Sequence, residues 1–245
     1  MSYPSQAPDS SAGSSGDFDS RCWTETDSAA GFTLRYLAAV HGQLMQWLGS
    51  QAEAETAMQL ILNHLVKGGF RDRGGGRLRD HLLKASRGAA KTLLLRRAER
   101  GAPGTTSAEL PAAGQWLEHW RDAVLGRVWR DLERIEHANP SRPIYAVGLA
   151  ASRKPNDTPE MLAIQIAAEG GVRLDGNDVA RWLPEAQTAY HQRLREEIRR
   201  TLDQPDGSAV EEEIRALGLG QPQPPRAVEF RSTKERFPDR VQGKS

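Results

Sequence analysis

Residues 70–100, FRDRGGGRLRDHLLKASRGAAKTLLLRRAER, form the most informative segment of the chain. Ten of these residues are basic and three are acidic, although the whole chain sums to a net charge of only +1. The positive charge of the protein is therefore concentrated in one segment. A segment of this kind usually faces a polyanionic partner.

Apolar residues in this stretch recur with the period of an α-helix and predict one inward face. That face comprises Leu78, Leu82, Ala89, Ala90, Leu93 and Leu94. Arg77, Lys84 and Lys91 follow one another at intervals of seven, which predicts a row of cations on another face, with Arg87 beside it. A merely solvated basic surface is the alternative interpretation. The glycine run 74–76 lacks the Lys-Ser/Thr pair of a phosphate-binding loop, so we interpret it as a flexible start to the helix.

Composition favours an all-α protein, because aromatic residues make up only 6% and runs of β-branched residues are absent. A stretch rich in small residues and proline divides the helical patterns into two blocks. The prediction is two small helical domains joined by a flexible linker. Its parts are a disordered arm at 1–27, a first domain at 28–100, a linker at 101–114, a second domain at 115–219 and a disordered tail at 220–245.

Local signals predict the individual helices. In the first block, the apolar spacing predicts one helix over 34–48 and another over 51–67. In the second block, Thr158, Pro159 and Glu160 form a helix-start signature. After the glycines at 170–171, a further helix begins, capped by Asp175 or Asn177. Two helices around a glycine-containing turn form a candidate helix-turn-helix.

Other residues have structural interpretations. The acids Glu196–Glu197 are interpreted as ion-pair partners of Arg193 and Arg200 on the same helix. Trp23 and Phe32 are interpreted as core residues and not as surfaces for stacking nucleotides.

Several classes of function are disfavoured by the sequence. No run of 18 apolar residues predicts a membrane span, and the N-terminal residues lack the pattern of a secretory signal. A single cysteine, Cys22, suits a reducing compartment, so we expect a cytoplasmic protein. The six histidines show no metal-ligand spacing, and no nucleophile lies in a recognisable motif. We therefore expect no metal, no cofactor and no enzymatic activity.

Taken in order, these segments resemble a bacterial RNA polymerase sigma factor of the extracytoplasmic-function (ECF) class, over about residues 30–219. Residues 76–91, GRLRDHLLKASRGAAK, look like the family's "GRFRDYL" segment, and residues 54–62 look like its "AEDLVQEVFL" helix. Residues 160–200 resemble its second domain, and residues 210–219 resemble the ending "LEEELRELGL".

The resemblance implies a protein that binds core RNA polymerase and directs it to promoter DNA. In the family, the first domain binds polymerase and melted promoter DNA, and the second inserts a recognition helix into the major groove. The implied DNA-binding residues are Arg71, Arg73, Arg77, Arg79, Lys84, Arg87 and Lys91 in the first domain, and Asn177 and Arg181 in the second. The implied polymerase-binding residues are Glu55 and Gln59. An anti-sigma or signalling protein is a further candidate partner.

The chain departs from the family pattern in both domains. Thr56 and Leu60 stand where the family's polymerase-binding helix has acids, and Pro184 begins the segment where it has a basic run. Because proline disrupts helices, we expect Pro184 to shorten the recognition helix. Residues 175–187 also carry a net charge of −2, which disfavours contact with phosphates. These departures leave a second hypothesis: a degenerate sigma-fold regulator that binds proteins without reading promoters.

Overall fold

The computed structural model describes residues 23, 28–70, 76–100, 110, 112–169 and 172–225, which form nine α-helices. These are α1 (Ala29–Leu34), α2 (Leu37–Leu48), α3 (Gln51–Gly68), α4 (Leu78–Glu99), α5 (Trp116–Ala138), α6 (Ile144–Arg153), α7 (Pro159–Ala168), α8 (Gly176–Arg200) and α9 (Gly207–Ala216). Within these ranges the only β-type pairing is an antiparallel bridge between Arg77 and Leu202. The predicted all-α class is therefore confirmed for the described residues.

Capping residues set the helix boundaries in the second block. The Thr158 side chain accepts a hydrogen bond from Met161 N–H at the start of α7, and Pro159 occupies the first turn. At the start of α8, Asp175 and Asp178 form a reciprocal capping box. Of the two residues considered as caps for this helix, Asp175 is therefore the one that is used.

The single helix predicted over 34–48 is divided in two. Helix α1 ends at Leu34 and α2 begins at Leu37, with Arg35 and Tyr36 between them. Tyr36 is fully buried and has a non-helical backbone, at φ −112° and ψ 16°. Its ring stacks on Trp120 of α5, with centroids 4.6 Å apart. The apolar periodicity continues through residues 35 and 36, so it predicts one continuous helix. It cannot show that the chain breaks there to place the Tyr36 ring against Trp120.

The predicted inward face of α4 is confirmed. Leu78, Leu82, Ala89, Ala90 and Leu93 are buried, and Leu94 is partly buried against the same core. Helix α4 packs on α2 and α3 through this face. Each fully buried leucine contributes on the order of 2 kcal/mol, so this face fixes the orientation of the helix and turns its other side outward.

The two predicted blocks share one hydrophobic core. Helix α2 of the first block packs directly on α5 of the second. Leu78 N–H donates to Thr201 O at 2.9 Å, and Asp203 N–H donates to Gly76 O at 3.0 Å. Two domains joined only by a flexible linker are therefore not confirmed. Residues 101–109 and 111 of the predicted linker lie outside the described residues.

Parts of both predicted disordered ends are packed. Trp23 is 1% exposed, lies edge-on to Phe70 at 5.0 Å and donates a hydrogen bond to Gly76 O. At the other end, Trp129 Nε1 donates to Gln223 O at 2.8 Å. The polar composition of these ends predicted disorder. In each case a contact of one tryptophan, Trp23 or Trp129, holds a short segment against the core. Residues 1–22, 24–27 and 226–245 lie outside the described residues.

Helix α8 does not end near Pro184, so the predicted shortening is wrong. The helix runs for 25 residues with Pro184 inside it. Pro184 is exposed, whereas Val179, Ala186 and Tyr190 on the other side of the helix are buried. Packing of this face against α5, α6 and α7 maintains the helix although the proline offers no backbone N–H. Helices α7 and α8 also pack on each other, as a helix-turn-helix requires.

Candidate nucleic-acid interface

Three cations of α4 form an exposed group, which we call the cation stripe: Lys84, Arg87 and Lys91. Their spacings of three, four and seven residues place them on one side of the helix. No ion pair joins any of the three to another residue in the described part of the chain. Their charges are therefore available to a partner in solution. The leucine face on the other side of α4 holds them in place.

Arg77 does not belong to the stripe, contrary to the sequence prediction. It precedes the first turn of α4 with an extended backbone, at φ −101° and ψ 128°. Its guanidinium lies 3.1 Å from Glu213 and 3.2 Å from Glu212, both on α9. The seven-residue interval holds in the sequence, but the helix begins one residue too late to include Arg77.

Arg79 is also occupied within the protein. Its Nε and one terminal nitrogen lie 2.6 Å and 3.3 Å from the two carboxylate oxygens of Glu213. The Arg79 side chain is 11% exposed and that of Glu213 is 1% exposed. A buried bidentate pair of this kind positions α9 against α4 and is not free to bind a phosphate. The predicted DNA-binding residues Arg71 and Arg73 lie outside the described residues.

An open groove of about 960 Å³ runs along α3 and α4 beside the stripe. Leu60 and His64 of α3 line one side, and Lys84, Gly88 and Thr92 of α4 line the other. Small residues on α4 leave the groove wide, and Lys84 makes its edge positive. An extended anionic chain is the kind of ligand that such a surface accommodates.

The aromatic residues at the end of this groove are part of the core. Trp23 packs against Phe70 and against His81, at a centroid distance of 5.5 Å from the latter. Both Trp23 and Phe32 are buried, so their interpretation as core residues is confirmed. The groove therefore offers its cationic edge to a ligand but no exposed ring of Trp23 for a base to stack on.

The two predicted polymerase-binding residues lie together on α3. Glu55 and Gln59 are both exposed and are one helical turn apart. Glu55 accepts a hydrogen bond from Gln51 Nε2 at 2.9 Å. Thr56, which stands where the family has an acid, is exposed and bonds Ala52 O of its own helix. These three residues form an accessible polar surface, and none of their side chains is buried.

Asn177 and Arg181 are exposed on α8, and neither lines the groove beside the stripe. Arg181 pairs with Asp178 at 3.1 Å and lies 5.1 Å from the centre of the Trp182 ring. The ion pair neutralises the cation that the resemblance implied for base reading. Asp175 adds a further negative charge, so the start of α8 is a poor surface for phosphate attraction.

The sequence did not reveal a buried charge group that joins Tyr36, at the junction of α1 and α2, to α5 and α8. Glu197 accepts a hydrogen bond from Tyr36 Oη at 2.9 Å and lies 3.1 Å from Arg200 and 3.7 Å from Arg127. Its predicted ion pair with Arg200 is confirmed, as is the pair of Glu196 with Arg193. The burial of Glu197, which is 1% exposed, was not predicted. The signal was present, because Glu197 falls at helical spacing among the core residues of α8, Tyr190, Leu194 and Ile198.

Comparisons with protein-family models, with curated proteins and with solved structures found no match to this chain. Within the described ranges, no helix is long and apolar enough to cross a membrane. Nor do those ranges contain three or more His, Cys, Asp or Glu side chains grouped to hold a metal ion.

Proposed function

We propose that this protein is an ECF-like sigma factor, which binds core RNA polymerase and directs promoter-specific initiation of transcription. The observation that carries the proposal is the cation stripe: three exposed cations that form no ion pair with the described residues, on a helix whose opposite face is buried in the core. The order of segments that resembles the family, from residue 54 to residue 219, supports the same function.

In this proposal the stripe binds the sugar-phosphate backbone of promoter DNA along the groove between α3 and α4. Such contacts supply affinity and salt dependence but no choice of sequence. Glu55 and Gln59 form part of the surface that docks on polymerase. Asn177 and Arg181 are the candidates for reading bases, and Arg181 must leave Asp178 to do so. We therefore expect the contribution of α8 to promoter affinity to be small.

The test is the salt dependence of DNA binding by the polymerase complex. The DNA is a promoter fragment recovered by immunoprecipitation of the protein from cells. The triple variant Lys84→Gln, Arg87→Gln and Lys91→Gln should reduce the slope of log K against log salt by about 2 to 3, since each lost phosphate contact contributes roughly 0.7 to 0.9. A triple variant of exposed cations elsewhere, Lys67→Gln, Arg199→Gln and Arg215→Gln, makes the same change in charge.

The control variant should keep the native slope. An equal loss of slope in both variants would show that only net charge matters, and an unchanged slope in the stripe variant would remove the stripe from the interface. Circular dichroism should show native helicity in both variants, because none of the six side chains is buried.

A second candidate function has its own structural support. The outer face of α7 is apolar, with Ile164 71% exposed and Met161 52% exposed. A helix that approaches DNA is usually polar on its outer face, whereas an exposed apolar face is typical of a protein-binding surface. This favours a sigma-fold regulator that binds proteins without reading promoters. Co-elution with core polymerase, without retardation of any immunoprecipitated DNA, would select this candidate.

A further inference from the structure

A cavity of about 480 Å³ lies in the second block, apart from the cation stripe. Helices α5, α6, α7 and α8 surround it, and residues 221–222, which follow α9, form one side. Its volume lies within the range of about 300 to 1,000 Å³ that is usual for small-molecule sites. None of the residues implied in polymerase or DNA binding lines it.

The inner wall of this cavity is largely aromatic and apolar. Trp129 and Tyr190 are buried neighbours, with ring centroids 5.3 Å apart. Leu162 and Ala186 are also buried and complete the apolar lining. Aromatic rings beside small aliphatic side chains favour a planar ligand. Because the two ring planes are tilted by 43°, such a ligand stacks on one ring while its edge meets the other.

One polar group is buried in this lining. The Tyr190 side chain is 1% exposed, and its hydroxyl hydrogen has no acceptor of ordinary geometry in the described part of the chain. Burial raises the pKa of Tyr190 to about 12, and a hydrogen bond that the hydroxyl oxygen accepts from the Gln223 backbone lowers it by less. The hydroxyl is therefore protonated at neutral pH and can donate. A buried donor without a partner is unfavourable, and a ligand acceptor would satisfy it.

The rim of the cavity has mixed polarity. Lys154 is exposed there, and the Asp157 carboxylate lies on the same rim. Gln187 and Gln221 add neutral groups. A cation balanced by an acid gives no strong preference for a highly charged ligand, so phosphates are poor candidates.

We propose that this cavity binds a flat aromatic small molecule whose hydrogen-bond acceptor meets the Tyr190 hydroxyl. The site is independent of the proposed role in transcription. It would add a small-molecule binding function to the second block. Trp129 of α5 also donates a hydrogen bond to Gln223 O, in the segment that follows α9. A ligand in the cavity would therefore contact α5, α8 and this segment together.

Quinoline is a suitable probe, since it is planar and carries one acceptor nitrogen and no donor. The experiment follows the indole N–H resonances of the full-length protein during titration. We expect a saturable shift of the Trp129 resonance, with a Kd on the order of 1 mM for a molecule this small. The resonances of Trp23 and Trp120, which lie elsewhere in the core, should not shift.

Three variants make the test specific. Tyr190→Phe keeps the ring but removes the donor, so it should weaken quinoline binding about fivefold. Tyr145→Phe is the matched control, because Tyr145 also packs on Trp129 but does not line the cavity. It should bind as the native protein does. Gln187→Trp, at an exposed position on the rim, should fill the opening and abolish the shift of Trp129.

Three results would overturn the proposal. The first is a Trp129 shift that does not saturate, and the second is an equal shift of the Trp23 resonance. The third is undiminished binding by Tyr190→Phe. Should that variant unfold, the outcome with Gln187→Trp decides instead, since an exposed substitution leaves the core intact.

Discussion

Glu197 brings a negative charge into the interior where α8 packs on α5, beside Tyr36 at the junction of α1 and α2. Its carboxylate is satisfied by the Tyr36 hydroxyl and by the nearby guanidinium groups of Arg127 and Arg200. Burial raises the pKa of Tyr36 well above its usual value, and the charge of Glu197 raises it further. Tyr36 is therefore a permanent donor. A buried carboxylate of this kind is stable only while all of its hydrogen-bond and ion-pair partners are present.

We therefore expect Glu197→Gln to destabilise the protein by about 3 kcal/mol, because it leaves two nearly buried arginines without their anion. Urea unfolding followed by circular dichroism measures the change. The neighbouring Glu196→Gln is the control, since Glu196 is partly exposed and its partners among the described residues are the partly exposed Arg193 and the Gln192 amide. It should lower stability by less than about 1 kcal/mol. Equal losses in the two variants would contradict a special role for the buried carboxylate.

At this scale the sequence predicted what depends on local spacing. Lys84, Arg87 and Lys91 are exposed because a helix that buries its leucines must turn these positions outward. The sequence did not predict that Arg77 and Arg79 would form ion pairs with Glu213, a residue more than 130 positions later. Periodicity records which face a residue occupies, but it carries no information about distant partners. The acidic run of residues 211–213, which is complementary to the basic segment, was the available signal.

Among the helices, α8 shows how packing outweighs local preference. A proline in the interior of a helix removes one hydrogen bond and costs about 3 kcal/mol relative to alanine. Helix α8 continues regardless, because its buried face extends from Val179 to Ile198. Glu185, the next residue, forms an ion pair with Arg142, which further fixes this part of the helix. Pro184 predicted a break in the helix. The helix stays continuous because its opposite face is buried against other helices, which local sequence does not show.

Pro184→Ala should therefore stabilise the protein by between about 1 and 3 kcal/mol, since it restores a backbone donor at an exposed position. The midpoint of urea unfolding reports the gain. Gln187→Ala, at an exposed position on the same helix, should change stability by less than about 0.5 kcal/mol. A loss of stability in Pro184→Ala would mean that the surrounding structure requires the proline geometry.

Helix α9 is held against the start of α4 by ion pairs with Arg77 and Arg79. Glu213→Gln should weaken both pairs, with a local loss of about 3 kcal/mol because this carboxylate is buried. Hydrogen exchange of the α9 amides should accelerate more than that of α3 amides. Glu211→Gln, which affects a half-exposed pair with Arg195, is the control and should change exchange little. Uniform acceleration across the whole chain would show that α9 does not open on its own.

For the whole molecule, the decisive feature is the core shared by the two predicted blocks. The sequence predicted each block's helices because their signals are local, but it separated the blocks at a stretch rich in glycine and proline. Composition describes a linker well, whereas it does not show whether the helices on either side pack together. Tyr36 on Trp120, and the backbone bonds from Gly76 and Leu78 to residues 201–203, connect the blocks in the structure.

A shared core predicts that the two blocks unfold together. The most protected amides of α3 and α4 and those of α6 and α8 should report the same free energy of unfolding in native-state hydrogen exchange, because neither set can be exposed without breaking the junction. Trp120→Phe, which shrinks the ring beneath Tyr36, should lower that free energy by roughly 1 to 2 kcal/mol in both sets at once. Trp182→Phe, a change to a partly buried ring on α8, should lower it less in both sets. If α3 and α4 instead kept their protection in Trp120→Phe while α6 and α8 lost theirs, the blocks would be independent units in solution, and the contacts of Tyr36 would not couple them.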